Sequence, residues 1–119
     1  MEQKGKQWKK KVLYNMCLNE FIKETMMTFE KGKSTFDEYL IALPEEVNKI
    51  SVALEEKNFE TAQSLAYQLK GSMADYRLKH LYLAAKSIHD SILEKNDQEQ
   101  KEMIEKINIE IMDFINTIE

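Results

Sequence analysis

Residues Phe36–Leu54 read FDEYLIALPEEVNKISVAL, and the spacing within this stretch decides the fold class. Phe36, Leu40, Leu43, Val47, Ile50 and Leu54 recur at intervals of three and four, which places all six on one face of an α-helix. Pro44 falls inside the stripe. It removes one backbone hydrogen bond, but the period continues on both sides, so it predicts a kink within one helix and not a break between two. The chain has only three glycines and one proline, and no segment alternates β-branched residues as a strand would. An all-helical protein is expected.

Upstream, Ser34 and Thr35 are each followed three residues later by an acid, Asp37 or Glu38, an overlapping capping-box pattern that predicts the start of this helix. Gly32 then reads as the stop of an earlier helix from about Gln7 to about Glu30. Its expected inward residues are Val12, Leu13, Met16, Ile22, Met26 and Phe29, with Met26 and Met27 as core filler. Downstream, Lys57-Asn58 predicts a short turn into a third helix, about Phe59 to Asp75. Ala62, Leu65, Ala66, Leu69 and Met73 form its apolar stripe. A fourth helix, about Leu78 to Glu94, should bury Leu78, Leu81, Ala85, Ile88 and Ile92. Asn96-Asp97 breaks it, with Asp97 and Gln100 as the next capping signal. The last helix should bury Ile104, Ile107, Ile111, Phe114, Ile115 and Ile118. Short connections make successive helices antiparallel, so the expected architecture is an up-and-down four-helix bundle over about 34–118, with an additional N-terminal helix over 1–32, in one domain spanning 1–119. Ile109 and Leu83 lie off their stripes and are the residues to watch for self-association; a monomer is expected.

With 43% hydrophobic and 32% charged residues over 119 positions, the chain can bury roughly two-thirds of its unfolded surface. The net charge of −4 gives no overall attraction to nucleic acid. Near the start, Lys4, Lys6, Lys9, Lys10 and Lys11 surround Trp8, a composition suited to docking or to an anionic surface. The apolar stretch after it is broken by Asn15, Asn19 and Glu20, so no signal peptide or membrane span is read. The single Cys17 cannot form an internal disulfide, and a reducing, cytoplasmic setting is expected.

Catalytic constellations are scarce. His80 and His89 project about 120° and 60° from the stripe of the fourth helix and do not converge on a metal. No glycine-rich phosphate loop, nucleophile elbow or zinc knuckle occurs, so neither an enzyme nor a cofactor is read. The third helix is more informative. Tyr67 points roughly 140° from the apolar face, beside Gln63, Lys70, Gly71 and Ala74. A helix-interior glycine costs about 1 kcal/mol relative to alanine, and at Gly71 the missing side chain would let another backbone approach.

The run LAYQLKGSMADYRLKHL (Leu65–Leu81), preceded by LPEEVNKISVALEEKNFETAQSL and followed by AAKSIHD, resembles the histidine-containing phosphotransfer (HPt) domains of two-component phosphorelays. Their motif is His-x-Leu-Lys-Gly-Ser, followed by a small residue and later by a glycine and a leucine. Leu69, Lys70, Gly71, Ser72 and Leu81 match it. The resemblance implies a mid-helix residue on the exposed face that takes a phosphoryl group from the aspartate of a receiver domain and passes it on. Here that residue is Tyr67; Arg77 stands at the family's glycine and Met73 at its small residue. Imidazole is both a nucleophile and a leaving group near neutral pH. A phenol is protonated there and needs an activating base. The resemblance therefore implies a pseudo-phosphotransfer module that docks a receiver domain, of a response regulator or a hybrid histidine kinase, without relaying phosphate. Its docking face would be Tyr67, Lys70, Gly71, Gln63, Ser64 and Ala74, surrounded by residues of the second helix. Two further readings remain open: an adaptor subunit working through the N-terminal helix, and an active phosphotransfer protein using His80, read as exposed.

Overall fold

The computed structural model describes residues 2–118, with side chains from Trp8 to Ile118. The Lys4 and Lys6 side chains, and the chain ends of the single-domain reading, lie outside the described residues. Five helices occur in order, α1 (Glu2–Thr25), α2 (Phe29–Glu55), α3 (Phe59–Asp75), α4 (Lys79–Leu93) and α5 (Asp97–Ile115), and no strand occurs among the described residues. The protein is all-α, and α2 runs through Pro44 without interruption.

Three connections are built alike. At the end of α2, the Lys57 amide donates to the Leu54 carbonyl and the Asn58 amide to Ala53, the paired bonds that close a helix through a left-handed residue. Arg77 with Leu78, and Lys95 with Asn96, repeat this pattern. The left-handed residues are Lys57, Arg77 and Lys95, with φ near 60°, and Met26 after α1 joins them. None is glycine, which is why glycine did not mark these ends in the sequence. Each connector's next residue is already the N-cap position of the following helix, with a side-chain cap at Asn58 and Asn96 and none at Leu78, so the chain reverses within a few residues. Asn58 accepts from the Thr61 amide and Asn96 from the Glu99 amide.

The N-terminal half of α2, the α3–α4 connection and the C-terminal half of α5 meet at one end, where Phe36, Tyr76 and Phe114 are neighbours of α1 rings. At the other end, Leu54, Phe59 and Gln100 line a common cleft. From α2 to α5, successive helices therefore run between these two ends in alternating direction. The stripe of α2 is buried from Phe36 to Ile50 with Leu54 half-buried, and Ala62, Ala66, Leu69 and Met73 of α3 and Leu81, Ala85, Ile88 and Ile92 of α4 are buried with Leu78. In α5 and just beyond it, Ile107, Ile111 and Phe114 are buried, while Ile104, Ile115 and Ile118 are half-buried. Ile109 and Leu83 are exposed, as their off-stripe positions implied.

The first helix departs from expectation in both phase and length. Its buried residues are Tyr14, Cys17, Leu18 and Phe21; Val12, Met16 and Phe29 are exposed, Leu13 and Ile22 are half-buried, and Met26 is 91% exposed in the connector and no core filler. The aromatic end decides the phase, because Tyr14 packs edge-on against Phe36 and Phe114 while Phe21 stacks on Tyr76. Helix α2 begins at Phe29, capped by Thr28, which accepts from the Lys31 amide. Ser34 and Thr35 lie inside it, and Asp37 is engaged by Lys33 and the Tyr14 hydroxyl. At the last helix the cap is Asn96 with Glu99, one residue before the expected pair; Gln100 is buried and donates to the Ser91 carbonyl.

Gly32 is not a stop signal. It is a buried position in the first turns of α2 where a Cβ would come within 2.5 Å of the Ile22 Cγ1 atom. The glycine lets α1 and α2 approach closely. Gly32→Ala should destabilise the protein by about 1–3 kcal/mol through overpacking, read as a lower denaturant midpoint at unchanged slope.

Candidate functional site

Helix α3 turns Ala62, Ala66, Leu69 and Met73 inward, and the same 3.6-residue period turns Glu60, Gln63, Ser64, Tyr67, Gly71 and Ala74 outward. All of these six are exposed, and Lys70 is half-buried at the edge of the face. The sequence-predicted face is thus brought together on one helix. Tyr67 is 63% exposed, and the Lys70 Nζ lies 5.0 Å from the centre of its ring, within cation–π range.

The flanks differ from the expected surround. On one side stands α4: the His89 imidazole centre is 6.1 Å from that of Tyr67, and Glu60, Gln63, Ser64, Tyr67 and His89 line a shallow, open depression. On the other side α2 contributes Tyr39, Ala42 and Glu46, which form a second hollow with Gln68 and Ser72. The helical count sets His89 about 60° from the stripe of the fourth helix and does not place it beside Tyr67. A signal for it exists, because Tyr67 and His89 are each eleven positions from Leu78, and reflection about a tight antiparallel connection pairs them.

Gly71 and Ser72 of the matched motif have separate roles. A Cβ built on Gly71 meets nothing within 4 Å, so its own chain gives no steric reason for glycine. Ser72 faces α2: its Oγ donates to the Leu69 carbonyl at 3.0 Å and lies 2.5 Å from the Tyr39 hydroxyl. Burial raises the Tyr39 phenol well above its usual range, against the lowering effect of the Ser72 hydrogen bond. Ser72 is therefore a packing residue that helps fix the roll of α3.

His80 is half-buried and not exposed. Its ring lies against Phe114 at 4.6 Å, and its Nε2 is buried with no hydrogen-bond partner. It points toward α5 and the Lys10–Glu110 ion pair that ties α1 to α5 at 2.6 Å, on the flank of α4 opposite His89. Burial lowers its pKa from the ordinary 6.5, Lys10 adds to the effect, and Glu110 opposes it. Cys17 is buried, and desolvation chiefly, with Glu20, raises its thiol to about 11 against the influence of Lys79. It is a core residue without thiolate reactivity. Among the described residues no three His, Cys, Asp or Glu side chains are grouped to hold a metal, and no helix is long and apolar enough to cross a membrane.

Two outcomes follow from these environments. Gly71→Ala should raise stability by up to about 1 kcal/mol, since helix propensity improves and nothing is displaced; urea unfolding reads it. For His80, the folded pKa is below the unfolded one, so the unfolded chain binds more protons as pH falls through the ordinary value of 6.5 and below. Stability is complete above that value and declines beneath it, and His80→Gln should flatten the decline in melting temperature between about pH 7.5 and 5. Comparison with protein-family models, curated proteins and solved structures finds no match for this chain.

Proposed function

We propose that this protein is a phosphotransfer-like docking module of two-component signalling, in which α2–α5 form the up-and-down four-helix bundle of that family and α1 is an addition. The outward face of α3 binds a receiver domain, of a response regulator or a hybrid histidine kinase, and Tyr67 carries no phosphate there. The module competes with functional partners for the receiver and so damps the pathway. The setting this implies is cytoplasmic.

One observation carries the reading. Gly71 sits in the interior of an exposed helical face, with open space where a side chain would stand, beside an exposed tyrosine and a lysine. An interior glycine weakens a helix, and with no internal packing to explain it, close approach by another molecule is the remaining physical reason. The position of Arg77 supports the family resemblance, because it stands where the family has glycine and adopts φ of 60°, a conformation glycine favours. The phenol is an acceptable contact for an acidic pocket but a poor phosphoryl carrier, since its ester would be too stable to return the group to an aspartate.

A second reading, the adaptor, rests on α1, whose outward side presents Trp8, Val12 and Met16 at intervals of four. The two are separated by one experiment. Gly71→Glu should weaken receiver-domain binding by about tenfold or more, equivalent to 1.4 kcal/mol, with the circular dichroism spectrum unchanged, while Met16→Asp should leave that binding intact. Unchanged affinity in Gly71→Glu, or loss in Met16→Asp alone, moves the adaptor ahead.

A further inference from the structure

Helix α1 carries two apolar rows. One, made by Tyr14, Cys17, Leu18 and Phe21, is buried against the bundle. The other runs along the outward side, where Trp8, Val12 and Met16 are 67%, 39% and 63% exposed, and a spacing of four keeps them together on the helix surface. Lys9, exposed and three residues before Val12, stands at the edge of this row. Five lysines and one acid, Glu2, fall in the first eleven positions, although the whole chain carries a net charge of −4. Lys10 and Lys11 reach across to Glu110 and the Thr117 carbonyl and hold the helix against α5.

We propose that the outward side of α1 rests on an anionic lipid bilayer as a peripheral, reversible contact. Trp8, Val12 and Met16 enter the boundary between headgroups and acyl chains, which suits an indole because its body is apolar and its N–H meets water. Lys9 and the basic start of the chain meet the negative headgroups. Charge selects this occupant. A second copy of the chain laid on the same row would bring two lysine-rich segments together and be repelled, whereas an anionic surface attracts them. Asn19, Glu20 and Lys23 are exposed farther along the helix, so the apolar contact ends near Met16. No helix among the described residues is long and apolar enough to cross a membrane, and α1 lies along the surface. The contact uses none of the residues of the α3 face and does not depend on the docking reading.

Trp8 is the chain's single tryptophan, so its fluorescence reports this contact alone. The full chain is mixed with phosphatidylcholine vesicles made with and without phosphatidylserine, and binding is read by cosedimentation and by tryptophan emission. Cosedimentation with a blue shift is expected on the phosphatidylserine vesicles, with affinity lower by about tenfold or more on pure phosphatidylcholine and falling as salt is raised. Lys9→Glu and Met16→Asp should each weaken binding by about fivefold or more. Leu83→Asp, at an exposed apolar position on α4, should not, and circular dichroism checks that each variant is folded. No binding to the anionic vesicles, equal binding to the neutral ones, or a Met16→Asp variant that binds as wild type does overturns the proposal. Dimerisation of the wild type that is lost in Met16→Asp, without vesicle binding, overturns it in favour of a second copy. Receiver-domain binding by the same variants is measured separately, so a failure here is distinct from a failure of the docking reading.

Discussion

The arrangement depends on a stack of three rings. Tyr39 of α2 lies flat on Tyr76 at the end of α3, with centroids 3.8 Å apart and planes within 4°, and Phe21 of α1 stacks on Tyr76 at 4.7 Å. Offset or parallel aromatic contacts of this kind add about 0.5–1.5 kcal/mol beyond the area they bury. Their larger effect is positional. The same Tyr39 carries the hydroxyl beside Ser72, so the stack and the hydrogen bond hold α3 at two points along one side. With Ala62, Ala66, Leu69 and Met73 buried opposite solvent, the helix has one allowed roll, and that roll presents Tyr67.

The end bearing this stack is also where α1 docks. Tyr14 packs edge-on against Phe36 and Phe114, and its hydroxyl donates to Asp37, which Lys33 also holds. Lys10 reaches Glu110, and the Lys11 ammonium donates to the Thr117 carbonyl at the close of α5. The first helix thus covers a region where three other segments end. Its attachment uses aromatic edges and charged tips as well as an aliphatic stripe.

That mixture explains what was legible in the sequence. In α2, α3 and α4 the apolar residues are largely aliphatic and confined to one stripe, and the expected bounds of α3, Phe59 to Asp75, are those observed. In α1, apolar residues occur on every side, so spacing alone permits two phases, and the choice falls to Tyr14 and Phe21, whose partners are distant in sequence. The C-terminal end of α1 differs from expectation for a local reason: the left-handed residue that closes it is Met26, and Gly32, which reads as a stop, lies inside α2. The exposed face of α3 was legible because it needs only one helix. His89 was not, because its position beside Tyr67 is a property of two helices and the turn between them.

The use of glycine across the chain sharpens the case for the α3 face. Among the described residues, four that are not glycine adopt positive φ, Met26, Lys57, Arg77 and Lys95, each against a steric preference of about 1–2 kcal/mol. Glycine is absent where the backbone favours it. At Gly32 it is present because Ile22 fills the space a Cβ would take. At Gly71 the backbone is ordinary helix and the space is empty, so neither conformation nor internal packing accounts for it. On the docking reading proposed above, the open position at Gly71, between Tyr67 and Ala74, is where a second surface would come against the helix backbone itself.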